Sequence, residues 1–235
     1  MAVDLSNRMA LITGASRGIG AALAKGFAAA GAQVILLART QGALEAVDDD
    51  IRKAGGAATL IPMNLQKFDE IDSLGPALLE RFGGLDIFIG NAGMLGPLSP
   101  AHQIAAKDWD KVMAVNFHAN VRLVRALDPL LRAAPAGRIV FTTSGLADMN
   151  LAYYGPYAAS KAALNAFART YAAETLKTNM KINLVSPGMV ETDMLREAFP
   201  GGLPEGVKAP DAVVEAYLRL VSSDCRSHGE IIEVD

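Results

Sequence analysis

The chain has a single cysteine, Cys225, among 235 residues. No disulfide can form within it, and a reducing compartment is the natural reading. It has no excess of basic residues either: Lys and Arg total 22 against 25 Asp and Glu, a net charge of −3. That excludes the positive field that would hold nucleic acid. Long apolar runs are missing, since the best candidate, 21–34, is interrupted by Lys25, Gly26, Gly31 and Gln33. A membrane-crossing helix needs about 18 or more consecutive apolar residues. The start of the chain carries Asp4 and Ser6-Asn7 where a signal peptide needs a basic opening and an unbroken apolar stretch, so it reads as mature protein. A cytoplasmic protein without membrane or nucleic-acid partners is expected. What is present is an ordinary globular composition, 51% apolar and 20% charged, in a length suited to one sizeable domain spanning 1–235.

Short apolar runs alternate with longer stretches of helical period. Strands are expected at 9–13, 33–38, 58–63, 85–91, 138–143, 181–186 and 230–234, and helices at 18–30, 41–54, 67–82, 107–133, 155–178 and 210–222. Most of the strands are continuously apolar, as parallel strands covered on both faces are. The pattern predicts an α/β, doubly wound Rossmann-type fold with about seven mostly parallel strands and helices on both faces. Between 188 and 210, Pro200, Gly201, Gly202, Pro204, Gly206 and Pro210 preclude one long helix. This excursion is expected to act as a substrate lid, with a short helix at 191–199.

Met9 to Thr13 runs into Gly14-Ala15-Ser16-Arg17-Gly18-Ile19-Gly20 and then a helical stretch. Glycines allow close backbone approach and a helix start offers free N–H groups to a pyrophosphate, so strand, turn and helix together point to dinucleotide binding. The second strand ends Leu37-Ala38-Arg39-Thr40, with no acid at its tip. An acid there pairs with the ribose of NAD, whereas arginine suits the 2′-phosphate of NADP. Arg39, with Arg17 as a second cation, points to NADP(H), with NAD(H) as the alternative. Tyr157 and Lys161 stand four residues apart on one helical face, and Ser144 follows the strand at 138–143. A neighbouring cation favours the phenolate and brings a phenol into range for proton exchange.

These pieces together resemble the short-chain dehydrogenase/reductase family. The resemblance rests on Thr13 to Gly20, Asn91-Ala92-Gly93, Asn116, Ser144, Tyr157 with Lys161, and the run Ser186 to Met194. It implies that Tyr157 is the general acid in carbonyl reduction and the base in alcohol oxidation. Lys161 would lower the tyrosine's pKa and bind the nicotinamide ribose, Ser144 would hold the substrate oxygen, and Asn116 would complete a water relay or cap a helix. It also implies that Gly14, Ser16, Arg17, Gly18, Ile19, Gly20, Arg39, Asn64, Leu65, Asn91, Ala92, Gly93, Pro187, Gly188, Val190 and Thr192 face the cofactor, with Tyr157 and Lys161. Asn64 stands where an aspartate is common, Gly90 where an asparagine is frequent, and the end of the chain, 228–235, is shorter than in many members. A homodimer or homotetramer packed through 107–133 and 155–178 is implied.

The expected activity is NADP(H)-dependent interconversion of a carbonyl and an alcohol. The alternatives are an NAD-dependent alcohol or hydroxysteroid-type dehydrogenase and a catalytically idle dinucleotide-binding regulator. His102, His118 and His228 are scattered and suggest no metal site, and Cys225 is expected to be inert. Asp48-Asp49-Asp50 reads as a solvated helix face. Trp109, Met113 and Met149 could line a substrate pocket but read first as core, while Met94, Tyr153 and Tyr154 are the better candidates for the pocket.

Overall fold

A computed structural model describes residues 3–234; Met1, Ala2 and Asp235 of the expected single unit lie outside the described residues. Seven strands, β1 (Met9–Thr13), β2 (Gln33–Ala38), β3 (Ala58–Pro62), β4 (Ile87–Gly90), β5 (Arg138–Thr142), β6 (Lys181–Ser186) and β7 (Ile231–Glu233), form one sheet. Its order is β3-β2-β1-β4-β5-β6-β7, and all six pairings are parallel. The helices are α1 (Gly18–Ala29), α2 (Gln41–Lys53), α3 (Phe68–Asp72), α4 (Leu74–Phe82), α5 (Ala106–Met113), α6 (Ala119–Ala133), α7 (Gly155–Glu174), α8 (Asp193–Ala198) and α9 (Val214–Val221).

Alternate strand residues feed two cores. Leu11, Ile35, Phe88, Ile139 and Ile182 pack with Leu123 and Leu127 of α6 and Leu164 of α7. Their neighbours Ala10, Val34, Ile89 and Val140 pack with Leu23 and Phe27 of α1, Leu44 of α2 and Tyr217 of α9. Runs that are apolar on both faces are what a sheet covered on both sides requires.

Departures from the expected elements have local causes. The single helix expected at 67–82 is two, because Pro76 has no N–H and its ring would clash with the carbonyl of Asp72 in a continuous helix. The helix expected to reach 178 ends at Glu174, where the Thr175 hydroxyl donates to the carbonyls of Tyr171 (2.9 Å) and Ala172 (3.1 Å). Residues 106–133 are helical throughout, with a π turn at Ala114–His118 between α5 and α6. Asp48 is not part of a solvated face. It is buried, accepts the Ala58 N–H at 3.2 Å and pairs with Arg52 at 2.8 Å, tying α2 to the start of β3.

His228 has a structural role. Its Nδ1 accepts the Ile182 N–H (3.1 Å) and its Nε2 donates to the Ala172 carbonyl (2.8 Å), so a neutral ring joins β6 to α7. Burial, the largest influence, lowers its pKa below 6.5. Between that value and 6.5 the unfolded chain holds more protons than the folded one, so stability falls as pH drops through 6.5. Urea melts at about pH 5.5 and 7.5 are expected to show this slope in the wild type and a smaller one in His228→Gln.

Candidate active site

The sheet order reverses between β1 and β4, where the connections leave the carboxyl ends of the strands in opposite directions and open a crevice. A cleft of about 1280 Å³ lies there. Of the catalytic and cofactor-facing residues picked out from sequence, every one except Asn116 lines it, from Arg39 at one end through the glycine turn to Ser144, Tyr157, Lys161 and the run 187–192 at the other.

The glycine turn is fixed by close packing. Gly14 (φ +66°) and Gly18 (φ +53°) lie in the left-handed region that favours glycine. A Cβ on Gly20 would stand 2.1 Å from the Gly14 carbonyl oxygen and 2.7 Å from Asn91 Nδ2. Side chains are thereby kept away from the start of α1, whose first N–H groups have no intrahelical partner. On Gly93 a Cβ would lie 3.5 Å from Asn116 Oδ1 and 3.7 Å from Lys161 Nζ, inside the cleft. Backbone donors at a helix start, with glycines leaving space beside them, suit a dinucleotide pyrophosphate and the groups beyond it.

A directed chain of hydrogen bonds underlies Asn91. The Thr142 hydroxyl donates to Asn91 Oδ1 (3.2 Å), which uses its one hydrogen, so the buried Tyr217 phenol is the donor in its 2.8 Å contact with Thr142 Oγ1. Asn91 Nδ2 donates to the Thr13 carbonyl (3.0 Å), and Thr13 Oγ1 accepts the N–H groups of Asn91 and Ala92. Burial raises the Tyr217 pKa and keeps the phenol protonated. Tyr217 carries no sequence motif, and its part emerges only when α9 packs under β5. Gly90 is also explained here: a Cβ would lie 2.5 Å from both Phe141 and Asn120 Oδ1.

Ser144 Oγ accepts the Leu146 N–H (3.2 Å), which leaves its own hydrogen free to donate. Tyr157 is buried, and burial raises its pKa; the Ser144 hydroxyl acts in the opposite direction and more weakly. The phenol is therefore protonated at neutral pH. Lys161 lies with Nζ 5.6 Å from the Tyr157 ring centre, donates to the Thr142 carbonyl at 2.7 Å, and is lowered to about 8 by burial. Asn116 lies beneath the cleft in the π turn. Its amide is fully engaged, donating to the Met94 carbonyl (3.0 Å) and Ser160 Oγ (2.9 Å) and accepting the Met94 N–H (2.9 Å). It thus holds the 94 loop against α7, and its backbone carbonyl accepts from Asn120 (2.9 Å).

The excursion 188–210 is tied at its base by a bridge between Val190 and Lys208, with Glu191 N–H to the Lys208 carbonyl at 2.8 Å and Lys208 N–H to the Met189 carbonyl at 3.0 Å. Its short helix is α8, where Thr192 Oγ1 caps the Leu195 N–H. Across the cleft Arg17 pairs with Asp193 at 2.8 Å. Met94 and Tyr154 line the cleft as expected, while Tyr153 is exposed and does not. Met149, read as core, is instead 67% exposed at the rim of the cleft. Leu151 and Phe199 also line it, and neither lies in a motif.

The family model for short chain dehydrogenases matches residues 8–201. An uncharacterized oxidoreductase of Escherichia coli, YciK, is 34% identical over 94% of this chain and 89% of its own. A fatty acyl-CoA reductase of Acinetobacter baylyi is 37% identical over 92% of this chain and 75% of its own. Among solved structures, a putative short chain dehydrogenase from Pseudomonas syringae superposes with TM-score 0.95 at 35% identity, covering 99% of this chain and 96% of the other. One from Shigella flexneri, complexed with NADP, gives 0.94 at 32% identity over 99% of both chains. The chain belongs to the short chain dehydrogenase family and is an oxidoreductase acting on CH–OH groups.

Proposed function

We propose that the protein is an NADP(H)-dependent reductase of ketones or aldehydes, also able to run the reverse oxidation. The observation that carries this reading is a buried Tyr157 beside Ser144, whose oxygen accepts the Leu146 N–H and whose hydroxyl can still donate, at the end of the cleft opposite Arg39. The glycine turn and the start of α1 would hold the pyrophosphate, Arg39 the 2′-phosphate, Asn91 to Gly93 the adenosine side, and Pro187 to Thr192 the nicotinamide. Bound NADPH supplies the hydride. Ser144 donates to the substrate oxygen and orients the carbonyl. Tyr157 gives that oxygen its proton, and the phenolate left behind is stabilised by the charge of Lys161. With the Asn116 amide occupied, any relay through this residue runs by its backbone carbonyl. The segment tied off between Val190 and Lys208 would act as the lid.

Arg17 is engaged by Asp193, but both side chains are more than 60% exposed, and such pairs are worth at most about 1 kcal/mol. Exchange for a phosphate is therefore cheap, while Arg39, exposed at the end of β2, is the principal cation. Titration with NADPH and NADH by nucleotide fluorescence is expected to show tighter NADPH binding. Arg39→Ala should weaken NADPH about 10- to 100-fold, the worth of charged hydrogen bonds, and leave NADH unchanged; a preference for NADH would overturn the assignment. In the same titration Tyr217→Phe should weaken dinucleotide binding about two- to tenfold, since Thr142 loses the donor that orders Asn91. A cytoplasmic homodimer or homotetramer, packed through the α5–α6 and α7 faces, completes the reading. The half-buried Phe117 and Phe167 and the exposed Ala166 on those faces support it.

A further inference from the structure

We infer that the carbonyl substrate is uncharged and carries an extended apolar chain that leaves the cleft across a rim of methionine, leucine and phenylalanine. The inference rests on the reductase reading. Among the described residues eight large apolar side chains are exposed; Leu79 and Leu176 stand elsewhere, and the other six sit on the segments 98, 149–153 and 189–199. Four of those six, Met149, Leu151, Met189 and Phe199, line the cleft itself, where Met94 and Met194 join them. Single exposed apolar residues are normal on a protein surface, but a contiguous set around a cleft marks a binding face. Methionine is unbranched and adaptable, which suits a flexible chain better than a rigid polar group.

Charge supports the same conclusion. The cations lining the cleft are Arg17, Arg39, Lys161 and Arg196. Arg17 is paired with Asp193 and Arg196 with Glu191. Lys161 is buried and bonded to the Thr142 carbonyl, and Arg39 stands at the nucleotide end. Asp148 and Glu233 also line the cleft. With Arg17 and Arg39 at the nucleotide end, the substrate side carries Lys161 and Arg196 against Asp148, Glu191 and Glu233, a negative balance that disfavours a carboxylate or phosphate.

The test uses the NADPH-loaded enzyme with straight-chain alkan-2-ones of increasing length and their ω-carboxylated counterparts. The expected result is a kcat/KM rising about threefold to fourfold per added methylene, as full burial of a CH₂ implies, until the chain passes the rim. The carboxylated series should be poorer at every length. Met149→Glu/Leu151→Glu should flatten the rise, and an unchanged melting temperature would show that the fold is intact, since the two side chains are 67% and 49% exposed. A flat length dependence in the wild type, or better use of the carboxylated series, would overturn the inference. If no ketone is reduced, the reductase reading fails instead. Displacement of the neutral dye N-phenyl-1-naphthylamine from the protein then decides the inference: displacement by decan-2-one but not by its ω-carboxylate supports it, and no displacement overturns it.

Discussion

Tyr157→Phe should lower kcat for carbonyl reduction about 10²- to 10⁴-fold, the range a positioned general acid contributes, while dinucleotide affinity stays at the wild-type value. The substitution removes one oxygen from a buried ring and keeps its packing, so the loss would reside in the proton transfer. Because burial holds the Tyr157 pKa up, the phenol is in its donating form at neutral pH, which favours reduction there, and oxidation should gain as pH rises. Lys161 adds a second limb. Its pKa, lowered to about 8 by burial, means that its charge is present below that pH and lost above it. Reduction measured as kcat/KM should therefore fall as pH rises past about 8, and Lys161→Met, at a lower rate throughout, should lack that fall. An unchanged rate in Tyr157→Phe would remove the mechanism.

The second large effect is expected at Gly20→Ala. The new methyl would lie 2.1 Å from the Gly14 carbonyl oxygen, a backbone atom held by the β1 turn, so the turn itself must shift. Overpacking of this kind costs about 1–3 kcal/mol, or about 2–12 °C in Tm for a chain of this size. The displaced turn is the one that presents the α1 N–H groups, so dinucleotide affinity should fall about 100-fold, near 3 kcal/mol. Gly42→Ala is the control. Nothing lies within 4 Å of a Cβ there, near the start of α2, and alanine in a helix should be neutral or stabilise by up to about 1 kcal/mol. Calorimetry and nucleotide titration of the two variants check both statements.

The strands were legible because burial on both faces demands unbroken apolar runs, and Leu11, Ile12, Leu36, Leu37, Val140 and Phe141 supply them. The cofactor side of the cleft was legible for a related reason: positions where only glycine fits leave a pattern in the chain, as at Gly14 and Gly20. Side chains whose part depends on a distant partner left no such trace. Asp48 looked solvated until the start of β3 placed Ala58 N–H against it. Asn116 was expected to complete a water relay or cap a helix, and its amide is spent on Met94 and Ser160. Tyr217 matters only because α9 packs beneath Thr142. Met149 was assigned to the core on composition alone, since an apolar residue in a loop carries no periodicity to show which way it faces.

In the proposed mechanism a hydride passes to the carbonyl carbon while Tyr157 protonates the oxygen. This is tested most directly by incubating the enzyme with decan-2-one and NADPH deuterated on the transferred face of the nicotinamide C4, prepared as each of the two C4 epimers. One epimer is expected to deliver its deuterium to the carbinol carbon of the alcohol, and Tyr157→Phe to form almost none of that product. Alcohol formed without deuterium from either epimer, or at an undiminished rate in Tyr157→Phe, would contradict the mechanism.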